Sequence, residues 1–74
     1  MATRTDREIV EQTNTLAREF YSMLGYTVTV EHKFYDVDRP NYHPQERLCW
    51  SMACHAQREL TSTDPDDALA NLDD

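Results

Sequence analysis

The stretch YHPQERLCWSMACHAQREL, Tyr42–Leu60, decides how this chain folds. Pro44 suits the first position of a helix, because the N–H that proline lacks would be unpaired there anyway. His43 would then be the N-cap, a residue type seldom chosen for that role. From Pro44 to about Thr61, Leu48, Cys49, Met52, Ala53, Ala56 and Leu60 form one broad apolar face, with Leu48, Met52 and Ala56 as the row expected to meet a neighbouring helix of the same chain. Trp50 and Cys54, four apart, extend that apolar surface round the far side. Only Arg47, Ser51, His55 and Arg58, with Glu59 at the edge, remain polar. A helix this apolar around its circumference is a buried helix. Two other helices in a chain of 74 residues can hardly cover it, so a second copy is expected to do so.

The same stretch holds both cysteines and two of the three histidines, which raises the question of chemistry. Zinc needs four ligands at about 2.0–2.3 Å. On a helix, Cys49 and Cys54 point about 140° apart and are separated by roughly 7.5 Å along the axis, so they can neither share an ion nor form a disulfide with each other. Cys54 and His55 are sequence neighbours and diverge by about 100°, which excludes a thiolate–imidazole pair. No metal and no catalytic residue is expected here. The cysteines read as small buried hydrophobes, His55 as a surface residue within reach of Glu59, and Trp50 as an anchor at a subunit interface, with packing inside the monomer core as the alternative.

Working outward, DREIVEQTNTLAREFYSMLGY gives the clearest helix, about residues 5–24. Thr5 followed by Glu8 fits a capping box, and Asp6 and Glu8 place negative charge at the positive end of the dipole. Gly25, the single glycine, follows the last periodic residue, Leu24, where a left-handed conformation costs glycine little. The apolar arc of Ile9, Val10, Leu16, Ala17, Phe20, Tyr21, Met23 and Leu24 spans about 160°, wider than one neighbour requires. At the other end, TDPDDALANLDD predicts a short helix, about residues 64–72, capped by Thr63 or Asp64 and opened by Pro65. Leu69 and Leu72 can dock, and Asp73 and Asp74 should fray its end. The segment between the main helices alternates Val28 and Val30 with threonines in a strand-like way. It carries no Asn-Gly or Asp-Gly turn, so an irregular or partly extended crossing over residues 26–42 is expected, laying Val28, Val30, Phe34 and Tyr35 on the helices.

The fold class is therefore all-α: one small helical domain, residues 1–74, assembled as a homodimer. A net charge of −7 opposes non-specific nucleic-acid binding, which needs clustered Lys and Arg, and the arginines are spread among acids. Mimicry of DNA by the acidic C-terminal end, or weak DNA binding as a dimer, is the alternative reading. One glycine leaves no phosphate-cradling loop, so no cofactor is expected. Asp64, Asp66 and Asp67 lack the glycine turn and distal Glu of a calcium loop. No apolar run approaches the ~18 residues of a membrane helix, and the first residues lack the apolar core of a secretory signal; a cytoplasmic protein with free thiols is expected.

Taken together, TDREIVEQTNTLAREFYSMLGY, HPQERLCWSMACHAQREL and TDPDDALANLDD resemble the small open-reading-frame proteins that lambdoid bacteriophages encode between the exonuclease and excisionase genes. The likeness is one of overall pattern. It covers most of the chain, least of all residues 27–41. It implies a helical early protein of the host cytoplasm, dimeric in at least one relative, that influences prophage induction and the choice between lysogeny and lytic growth. It implies an unidentified host or phage protein as partner, and it brings no catalytic residue. The surface expected to make the dimer or partner contact comprises Phe20, Tyr21, Arg47, Trp50, Ala53 and Cys54.

Overall fold

A computed structural model describes residues 5–72. Among the described residues there are three helices and no strand: α1 (Asp6–Met23), α2 (Pro44–Thr61) and α3 (Pro65–Ala70). Asp73 and Asp74, expected to fray, lie outside the described residues.

The ends of α1 are set by local chemistry. Thr5 Oγ1 accepts the Glu8 N–H and a Glu8 carboxylate oxygen accepts the Thr5 N–H, each at 3.1 Å. At the other end Gly25 has φ +95°. The Gly25 N–H reaches the Ser22 carbonyl at 2.9 Å and the Tyr26 N–H the Tyr21 carbonyl at 3.4 Å, a Schellman closure. The rings of Tyr21 and Tyr26 stack across it at 4.5 Å. In α2, His43 does serve as N-cap: its Nδ1 accepts the Gln45 N–H at 3.1 Å while a Glu46 carboxylate oxygen accepts the His43 N–H at 2.8 Å. For α3, Asp64 accepts the Asp66 N–H at 3.1 Å, and Pro65 and Ala68 are buried.

α1 and α2 run antiparallel. Gln57 Nε2 donates to Thr13 Oγ1 at 3.2 Å near one end, and the ring of Tyr26, just past α1, lies 6.0 Å from that of His43 at the start of α2. The segment between them is a chain of turns, with backbone bonds such as His32 N–H to Thr29 and Tyr42 N–H to Arg39 rather than a ladder. No hairpin forms in it. Asn14 of α1 holds it at two adjacent points: Nδ2 donates to the His32 carbonyl at 2.7 Å and Oδ1 accepts the Phe34 N–H at 2.8 Å. Phe34, fully buried, sits between His32 and Tyr21, and burial of such a ring contributes about 1.5–3 kcal/mol. Val28 and Tyr35 pack on the core as expected, but Val30 is 80% exposed, because the carbonyl of that residue, not its side chain, is turned to α1, where Arg18 donates to it.

The crossing segment and α3 both lie on one side of the α1–α2 pair. Asn14 and Arg18 of α1 and Trp50, Cys54 and Arg58 of α2 make the contacts to them. At about 100° per residue these positions share one side of each helix, which puts Leu16 and Met23 of α1 and Met52 and Ala56 of α2 on the opposite side. Among the described residues, no further element lies on that side.

Candidate functional site

Six residues were expected to form a contact surface, and the fold separates them. Tyr21, Trp50, Ala53 and Cys54 are all at most 7% exposed within a single chain. Trp50 is enclosed by the crossing segment, its ring 5.6 Å from that of Tyr35, so within a single chain it already has an anchoring partner. The reason is the direction of burial. Cys49, Ala53 and Gln57 are buried, with Gln57 bonded to α1, whereas Leu48 and Met52, expected to meet that helix, are 50% and 37% exposed. Phe20 is half-buried on the open side and Arg47 is exposed beside the crossing segment, so the two do not share a surface.

The surface that the fold leaves available is the uncovered side of the two long helices. Met23 is 80% exposed, Leu60 79%, Leu48 50% and Met52 37%. Half-buried Ile9, Leu16 and Phe20 line its floor, packed against the core beneath. The charged residues at its walls are Glu19 of α1 and Glu59 of α2, both exposed. Arg7, Arg18, Arg47 and Arg58 all fall on the other side of their helices by the same angular reckoning. The result is an apolar groove with acidic walls, and among the described residues no Arg or Lys of its two helices falls on that side.

The covered side carries a polar cluster. The Glu46 carboxylate is buried, yet accepts from His32 Nε2 and from the Arg39 guanidinium through one oxygen, and from the His43 N–H through the other. The pKa of His32 is lowered by burial, then by Arg39 and Arg18. Glu46 thus fastens the crossing segment to the first turn of α2. Sequence reading missed Asn14, Glu46 and Gln57. The available signals were an Asn in the i, i+4 and i+11 series with Val10 and Tyr21, a Glu three residues after a capping residue, and a Gln one turn from Ala53.

Cys49 and Cys54 have different surroundings. Burial raises both thiol pKa values, and Cys54, with Asp66 adding to the effect, is pushed up to about 12. Each is therefore held in its protonated form at neutral pH. Among the described residues no group of three or more His, Cys, Asp or Glu side chains could hold a metal ion. Clefts of about 300 and 260 Å³ flank Tyr35 on the covered side, and their walls mix both charge signs. No helix is long and apolar enough to cross a membrane among the described residues. No family model, curated protein or solved structure matches the chain.

Proposed function

We propose that this chain is a non-catalytic protein-interaction module that pairs with a second copy through the open side of α1 and α2, and that it serves as a phage early protein acting on host physiology and on the lysis–lysogeny or prophage-induction decision. The phage setting rests on the resemblance described above. The observation that carries the interaction reading is the apolar groove itself, with Met23 and Leu60 about four-fifths exposed. Contiguous apolar surface of this kind marks a contact site. Methionine suits such a surface because its unbranched side chain adapts to different partners. Sedimentation equilibrium tests the pairing. A dimer of the 8.7 kDa chain is expected at micromolar concentration, with Met52→Asp plus Leu60→Asp giving a folded monomer. A wild-type monomer throughout that range overturns it. The phage reading predicts that plasmid expression during prophage induction changes the fraction of cells that lyse; an unchanged fraction overturns that part.

A further inference from the structure

We propose that the groove between α1 and α2 is built to receive one amphipathic helix with a cationic polar face, and that such a helix displaces the second copy. This rests on the reading of the chain as an interaction module and names the chemistry of its partner.

Two observations select the occupant. The first is charge. Glu19 and Glu59 stand on opposite walls of the groove, while the described Arg and Lys side chains of the molecule lie on the covered side or in the crossing segment. A second copy brings the same acidic walls to the same contact, and each copy carries −7 overall. Like charges at a contact oppose association, whereas lysines or arginines flanking an apolar stripe are attracted to both walls. The field of the whole chain has the same sign, so it also steers a cation toward the molecule. The second observation is size. Met23, Leu48, Met52 and Leu60 leave open on the order of a few hundred Å² of apolar surface, a narrow strip between two helices. It suits a single helix laid between two others, whose anchors at i, i+3, i+4 and i+7 would fill the groove and complete a three-helix layer. The self-pair is then a weak resting state, and the cationic helix is the higher-affinity occupant.

The test uses the full chain and two synthetic helices of 18 residues, the length of α1 and α2. Both carry the same leucine stripe and a fluorophore; one has lysines on its polar face, the other glutamates. Anisotropy titration should show binding of the lysine helix tighter than the self-pairing measured by sedimentation, and at least about tenfold weaker binding of the glutamate helix. Raising salt from about 0.05 to about 0.5 M should weaken the lysine helix several-fold, while self-pairing followed by sedimentation strengthens, because screening removes attraction in one case and repulsion in the other. Glu19→Lys plus Glu59→Lys, both at solvent-exposed positions, should reverse the preference between the two helices. Met52→Asp plus Leu60→Asp should abolish binding of the lysine helix with helicity retained. Equal binding of both helices, no binding of either, or undiminished binding of the lysine helix to the Met52→Asp, Leu60→Asp chain overturns the proposal. Sedimentation of the chain alone reports the self-pair separately, so a failed helix partner and a failed dimer give different results.

Discussion

At the scale of single residues, the side chains that matter most are those whose surroundings the sequence does not show. Trp50 was legible as important, since it is the one tryptophan in an apolar helix. Its partner was not, because a helical wheel gives the angle of a side chain and not what lies at that angle. With Tyr35 over it, Trp50→Ala should cost about 3–5 kcal/mol in urea unfolding. The loss should be the same at every protein concentration, since the contact lies within one chain, and the blue-shifted Trp50 emission should not move on dilution. A loss confined to low concentration would return the residue to an interface. The cysteines make a second case. With both thiols buried and their pKa values raised, they should react far more slowly with a disulfide reagent at pH 8 in the native protein than in urea, where both should react at the rate of a free thiol. Fast reaction of the native protein would show that one of them is open.

At the scale of elements, α1, α2 and α3 were readable within a residue or two because start and stop signals are local: Thr5 with Glu8, Gly25, Pro44 and Pro65 each act on their own turn. The crossing segment was not readable, because side chains distant in sequence hold it. Asn14 takes the place of a neighbouring strand for residues 32 and 34, and Glu46 joins residues 32, 39 and 43 at one carboxylate. A strand-like alternation of valines therefore ended as turns. Glu46→Ala tests how much of the fold hangs on this junction. The change leaves Arg39, about three-quarters buried at its side chain, without its carboxylate, and frees the His43 N–H of α2. Breaking a buried pair by removing one partner costs about 3–5 kcal/mol. Hydrogen exchange should show new opening over residues 26–43 while the middle of α1 stays protected. Uniform loss of protection would mean that the crossing segment and helices unfold as one unit.

At the scale of the whole molecule, the all-helical class was legible and the location of the surplus apolar surface was not. The helical pattern leads one to expect more apolar surface than so few elements can cover, but only the packing decides that the covered side takes Trp50 and Cys54 and the open side takes Met52 and Leu60. Packing also shapes how stability should vary with pH. His32, faced by Glu46, Arg39 and Tyr21 and with Arg18 nearby, has a folded pKa below its ordinary value of about 6.5. As pH falls through about 6.5 the unfolded chain binds a proton that the folded chain does not, so stability declines on the acid side. For the thiols the sign reverses. Cys54 is pushed from 9.0 to about 12, so between those values the unfolded chain has released a proton that the folded chain still holds, and stability falls again as pH rises. Urea midpoints taken from pH 5 to pH 11 should therefore pass through a maximum between about pH 7 and 9. His32→Gln should flatten the limb between about pH 6.5 and 5, leaving the loss that carboxylates cause at lower pH. Cys54→Ala should make the alkaline limb shallower, leaving the part that Cys49, Tyr21 and Tyr42 contribute, while lowering the plateau through lost packing. If Cys54→Ala leaves the alkaline slope unchanged, its thiol is not held protonated by the fold, and the burial assigned to the junction of α2 and α3 is wrong.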